Sequence, residues 1–180
     1  MTSNWKTTSV VLDYLRMDLG LNGFESVLDI GMGYGKYGML IRDLFETPFG
    51  NFTKDKFRIR IDGVESFPEA LTFQYDIYNN IYGKKLQEFT PEIKYDIALY
   101  IDILEHMEKE ESISEFKRLM SFAKRNIIAT PKTFILQKLE VNKEFDQHKA
   151  QINPEDFGLP YKRLDTDDNC NYIYIINGGK

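Results

Sequence analysis

The residue types best suited to chemistry are an acid followed by three alternating glycines, Asp29-x-Gly31-x-Gly33-x-Gly35, and a few polar side chains further along the chain. The alternation lets the backbone fold tightly and leaves N–H groups open to a ligand. Glu65 and Asp102 are acids that each close an apolar run. His106 and His148 are the two histidines of the chain, so the search for a group that exchanges protons near neutral pH is short.

These residues need elements to position them. The run 27–38, VLDIGMGYGKYG, reads as a short apolar strand (27–30), a glycine turn and the start of a helix. That helix carries Tyr37, Leu40, Ile41, Leu44 and Phe45 on one face and ends near residue 45. An amphipathic helix is predicted over 5–19, with Val11, Leu15 and Leu19 on one face. Residues 46–56, ETPFGNFTKDK, read as a loop. A strand over 57–64 ends in Glu65, and Pro68 suits the first turn of a helix reaching about residue 78.

A short strand at 80–82 ends at Gly83, and 96–101 is the near-continuous apolar run of a strand covered on both faces. A helix is predicted over 110–123, with Ile113, Phe116, Leu119, Met120 and Ala123 inward and Glu108, Glu110 and Glu111 near its positive end. A strand follows at 126–129, closed by Thr130-Pro131, and 161–164 with 171–176 form a final antiparallel pair. The pattern predicts an α/β fold: Rossmann-like and doubly wound, a mostly parallel seven-stranded sheet with a C-terminal antiparallel pair and helices on both faces. Such sheets bind ligands at the carboxyl ends of their strands. Asp29 with the glycines, Glu65 with Ser66, Gly83 and Asp102 all fall at such ends.

Composition narrows the classes. The 180 residues suit one domain spanning 1–180, with 42% hydrophobic and 28% charged residues, ordinary for a soluble globular protein. A net charge of −5 with pI near 5.2 argues against a nucleic-acid partner. Lys54, Lys56, Arg58 and Arg60 read as a solvated loop and strand entrance. The single Cys170 reads as a small packing residue in a reducing compartment. The N-terminus lacks signal-peptide order, and no apolar run approaches the ~20 residues that span a bilayer. A cytoplasmic protein without a membrane partner is expected, as a monomer or a homodimer.

Two glycine frames compete for the identity of the ligand. Gly33-x-Gly35-x-x-Gly38 satisfies the dinucleotide fingerprint, but it starts beyond the strand end and places a pyrophosphate near Asp29, which repels it. A ligand carrying an ammonium and a carboxylate suits both the acid and the bare amides. S-adenosylmethionine is such a ligand, with a ribose diol and no phosphate.

With these residues the chain resembles the class I S-adenosylmethionine-dependent methyltransferases, over most of its length. Asp29 to Gly35 is similar to that family's first motif, which implies Asp29 near the methionine amino group, with Gly31, Gly33, Tyr34 and Gly35 passing the cofactor. Gly63-Val64-Glu65 is similar to the second-strand acid, whose two oxygens accept both ribose hydroxyls; Ser66 follows it. The stretch 95–107, YDIALYIDILEHM, looks like the fourth-strand motif, implying that Asp102 and Ile103 lie against the methionine part and the methyl path. Residues 60–65 and Ala129-Thr130-Pro131-Lys132 resemble a bacterial and archaeal subgroup of small methyltransferases. Two positions depart. Tyr82-Gly83-Lys84-Lys85 stands where many members carry an adenine-binding acid, and HKAQIN after His148 lacks the subgroup's aromatic. Tyr37 reads as packing; Tyr34 reads as packing or, since it lies inside the loop, as a cofactor contact.

Methyl transfer is an in-line displacement that needs alignment and exclusion of water, with a base where the acceptor is a hydroxyl or protonated nitrogen. His106 and His148 are the candidate catalytic residues, with a capping and a loop role as the respective plain alternatives. The polar stretch 132–153 and the subgroup resemblance suggest a small polar acceptor, such as a sugar or glycan precursor, methylated on O or N. No metal is expected: two histidines far apart in sequence and one cysteine do not make a zinc set, although the carboxylates leave magnesium open. A non-catalytic binding module of the same fold and a nicotinamide-dependent reductase are the competing readings.

Overall fold

The computed structural model of the chain describes residues 4–21, 23–67, 73–133, 147–165 and 170–179. Seven strands form one sheet: β1 (Ser26–Ile30), β2 (Arg60–Val64), β3 (Asn80–Tyr82), β4 (Tyr95–Ile101), β5 (Ala123–Pro131), β6 (Lys162–Arg163) and β7 (Asn171–Asn177). Their order is β3-β2-β1-β4-β5-β7-β6. The first five strands pair in parallel, and β7 pairs antiparallel with both β5 and β6. The order reverses between β1 and β4, which makes the crevice above those two strands the expected ligand position.

Among the described residues three α-helices flank the sheet: α1 (Trp5–Leu21), α2 (Lys36–Phe45) and α3 (Lys109–Leu119). Val11 and Leu15 of α1 pack with Tyr37, Ile41 and Phe45 of α2 against Val27, Ile61, Ile97, Ile127 and Ile173 on one face of the sheet. Phe116 and Leu119 of α3 pack against Leu28, Tyr100, Ile128 and Tyr174 on the other. The doubly wound, two-faced arrangement expected from the alternation of strands and helices is therefore present. No described helix is long and apolar enough to cross a membrane.

The boundaries differ where side chains capture the backbone. β2 starts at Arg60, not at residue 57, because the Arg58 and Ile59 amides donate to Glu46 Oε1, both at 2.7 Å, instead of to a neighbouring strand. The 46–56 segment contains two single 3-10 turns, Thr47–Phe49 and Lys54–Lys56, and its first residue, Glu46, is fully buried. α3 stops at Leu119; Met120–Phe122 is a 3-10 turn, and Ala123 already pairs with Tyr95 as the first residue of β5. β5 runs on to Pro131 because β7 pairs with it along its length, while β6 shrinks to two residues. Of the helix expected after Pro68, residues 68–72 lie outside the described residues, and Phe73–Asp76 forms a 3-10 turn.

Cys170 is exposed, not a packing residue, and accepts a hydrogen bond from Asn4 Nδ2. The basic cluster is dispersed by local partners. Lys54 Nζ donates to the Tyr75 carbonyl, Arg58 lies over the Phe49 ring, and Arg60 pairs with Asp62 at 2.8 Å.

Candidate functional site

The glycine turn joins β1 to α2 at the crevice. Gly31, Gly33 and Gly35 all take left-handed backbone conformations, with φ of 69°, 51° and 78°. At Gly31 the restriction is double, since a Cβ there would also lie 2.7 Å from Ile103 Cδ1 at the end of β4. The turn is pinned to β2: the Gly31 and Met32 amides donate to the Val64 carbonyl at 2.9 and 3.1 Å. The Gly33 amide donates to Glu65 Oε2 at 2.8 Å, and Phe67 donates to the other oxygen at 2.9 Å. Glu65 thus shapes the turn and remains partly accessible beside it, with Ser66 next to it on a cavity wall. Nothing lies within 4 Å of the position a Gly33 Cβ would take, so the outer side of the turn is open.

Asp29 lies one residue from the end of β1 and is only 2% exposed. Its Oδ2 accepts a 2.6 Å hydrogen bond from the Tyr78 hydroxyl, which in turn accepts one from the Gly38 amide at 3.1 Å. Gly38 has no alternative residue here, because a Cβ would fall 2.4 Å from the Tyr78 ring. Burial pushes the Asp29 carboxyl up to about 7; the Tyr78 hydrogen bond opposes that shift and the Glu65 charge adds to it.

The sign of the linked stability change follows. The folded state holds the Asp29 proton above the ordinary carboxylate range, so its contribution is full below about pH 4 and is lost as pH rises through about 7. Asp29→Asn keeps the acceptor for Tyr78 and removes the titration. Unfolding free energy measured across that range should decline less steeply in the variant, by roughly 1 kcal/mol or more over the interval; identical slopes would contradict the buried, protonated carboxyl.

At the end of β4, Asp102 is the one non-glycine residue with positive φ among the described residues, at 51°. Its amide donates to the Ala129 carbonyl, and its Oδ1 accepts from Asn171 Nδ2 at 2.6 Å. Burial lifts its carboxyl to about 6, opposed by the Asn171 hydrogen bond and the charge of Lys36. Lys36, the first residue of α2, also sits 4.8 Å above the Trp5 ring. Lys36 and Asn171 are site residues that the chain's motifs did not mark. Tyr37 is buried as expected, whereas Tyr34 is 66% exposed, which removes the packing reading and leaves it projecting from the turn.

The structure brings together two histidines that the sequence keeps far apart. His106 closes a 3-10 turn, Leu104–His106, just after β4. The Lys149 and Ala150 amides both donate to the Glu105 carbonyl, at 2.7 and 3.2 Å, and this draws His148 in. The two imidazoles meet edge to face at 5.1 Å between centroids. Donor atoms of Glu105, His106 and His148 lie within 4.8 Å of one another, a grouping that the wide spacing of the two histidines in the sequence did not suggest. His148 is buried, which lowers its pKa and favours the neutral imidazole. A cavity of about 360 Å³ opens beside this group, with Ser66, Lys85, Ile103, His106 and Lys149 among its walls. One cavity wall thus joins the Glu65 end of β2 to the His106 end of β4.

No protein-family model matches the chain, and no curated protein matches it in sequence. Solved structures do match in fold. A magnesium protoporphyrin IX methyltransferase from Synechocystis PCC 6803, solved with SAH bound, superposes with a TM-score of 0.63 at 18% identity, covering 99% of this chain and 90% of that one. The methyltransferase domain of bacterial CtHen1 gives 0.60 at 17% identity, over 95% and 99%. The bifunctional kinase-methyltransferase WbdD gives 0.59 at 15% identity over 98% of this chain, which spans 40% of that protein. By strand order, glycine turn and these likenesses, the chain has the fold of the class I S-adenosylmethionine-dependent methyltransferases.

Proposed function

We propose that this chain is an S-adenosylmethionine-dependent methyltransferase acting on O or N of a small polar acceptor, with a sugar or glycan precursor as the first class to test. The observation that carries the reading is the junction of the left-handed glycine turn with Glu65 at the crevice between β1 and β4. A turn that is open on its outer side and has a carboxylate at its flank fits an adenosyl ligand with a ribose diol and no phosphate.

S-adenosylmethionine supplies a methyl group already activated by its sulfonium leaving group. The chain's residues supply position. Glu65 is placed to accept from the ribose hydroxyls, with Ser66 beside it, while Gly31, Gly33, Tyr34 and Gly35 line the passage. Asp29, Asp102 and Ile103 stand on the side where the amino acid portion would lie, and Asp29 would be drawn toward its ionised form by an ammonium beside it. His106 is on the cavity wall, where its imidazole can take the proton that an acceptor hydroxyl loses, and the His148 ring packs edge to face against it as the second candidate base.

Calorimetric titration with S-adenosylhomocysteine (SAH) and, separately, with NADH tests the reading. Saturable SAH binding at one site is the expected result. NADH binding without SAH binding would replace the proposal with a dinucleotide enzyme. SAH binding with no methyl transfer across a panel of sugar and nucleotide-sugar acceptors would favour a non-catalytic module.

A further inference from the structure

We infer that Glu105, His106 and His148 form a binding site for one divalent transition-metal ion. One carboxylate and two imidazoles are a donor set that zinc, manganese and cobalt ions accept, and three protein ligands leave a position open for a small molecule. Their donor atoms lie within 4.8 Å of one another. Ligands around a tetrahedral ion are about 3.4 Å apart at metal–nitrogen distances near 2.1 Å. Small rotations of the two rings and the carboxyl therefore close the set.

A second, independent observation points to the same place. Glu105 is 1% exposed, and among the described residues neither of its carboxyl oxygens has a hydrogen-bond partner. Buried carboxyl groups are as a rule hydrogen-bonded, and leaving one unpartnered is costly. Its Oε1 instead faces His148 Nε2 at 4.0 Å. The backbone around the group is already held, because the Glu105 carbonyl accepts the Lys149 and Ala150 amides. His106 Nδ1 lies 3.4 Å from the Gln147 carbonyl, which can only accept. A backbone carbonyl beside an imidazole helps to orient the ring, a support often found around metal-bound histidines.

The ion would sit where His106 borders the 360 Å³ cavity, so its open position faces that space. There it would take water or an oxygen or nitrogen donor of the acceptor, lowering that donor's pKa and placing it in the cavity. The imidazoles then act as ligands and no longer as free bases. This last part rests on the methyltransferase reading; the ion site does not.

The full chain, stripped with chelator, is titrated with Zn²⁺ and with Mn²⁺ by calorimetry, bound metal is counted by mass spectrometry, and SAH binding is measured in parallel. One equivalent of ion is expected for the wild type. It should be lost in His106→Ala and His148→Ala, with SAH affinity changed less than about twofold. Co²⁺ loaded into the wild type should give the visible d–d bands of a nitrogen-ligated site, independent of how the variants fold. Absence of stoichiometric uptake by the wild type, or equal uptake by folded His106→Ala and His148→Ala proteins, would overturn the site. Metal uptake without SAH binding would instead overturn the methyltransferase reading and leave the site standing.

Discussion

Glu65→Ala is expected to weaken SAH binding by about 1.5–3 kcal/mol, the value of hydrogen bonds to a charged group, or roughly 10- to 150-fold in Kd. The loss has two sources. The carboxylate is the candidate partner of the ribose hydroxyls, and it also holds the Gly33 amide at 2.8 Å and the Phe67 amide at 2.9 Å. Removing it takes away a ligand contact and loosens the turn that presents the others. Glu65→Gln separates the two parts, because the amide oxygen can still accept one backbone N–H while the charge is gone. Its affinity should fall between wild type and alanine. Calorimetry reads both variants, and unchanged affinity in Glu65→Ala would remove Glu65 from the ligand site.

Glu46→Ala should be the most destabilising single change, costing about 3–5 kcal/mol of unfolding free energy as expected for breaking a buried ion pair. Glu46 is fully buried, and Arg42 is 3% exposed. The guanidinium reaches Glu46 Oε1 at 3.2 Å, Asn79 Oδ1 at 2.9 Å and the Ile77 carbonyl at 3.0 Å. Asn51 Nδ2 and the Arg58 and Ile59 amides complete the shell of Glu46. Alanine would leave a buried cation and several donors without their acceptor. Burial already lowers the Arg42 pKa to about 10 against the pull of Glu46. A double replacement, Arg42→Met with Glu46→Leu, should recover part of the loss, since apolar groups of similar volume often substitute for such pairs. Denaturant titration of the three variants measures this, and a cost below about 1 kcal/mol for Glu46→Ala would show that the network contributes little.

The network also explains what the sequence conveyed and what it hid. Periodic burial makes an element legible: Tyr37, Ile41 and Phe45 mark α2, and the unbroken run at 96–101 marks β4 because both of its faces are covered. The glycine turn was legible because positive φ is cheap only for glycine. Glu46 was hidden because its burial depends on Arg42 one turn earlier and on two amides of the β2 approach, and an isolated acid in a polar stretch has no period. The same holds at the candidate site. Asp29, Glu65 and Asp102 lie at strand ends and could be placed from the chain alone. Lys36 and Asn171 approach Asp102 from the start of α2 and from β7, at distances only the folded sheet sets. His106 and His148 meet because a backbone carbonyl clamps two amides, an interaction to which side-chain identity contributes nothing.

The insertion of β7 between β5 and β6 bears on the order in which the molecule is assembled. A nascent chain that has emerged as far as Pro131 can already zip the five parallel strands, yet β5 then offers an unprotected row of amides and carbonyls along Ile127 and Ile128. Such an edge invites pairing with other chains until residues 171–177 arrive to cover it. The strand that seals the edge also delivers Asn171 to Asp102. The strand that protects this edge from self-association is therefore also the one that completes the Asp102 side of the candidate site.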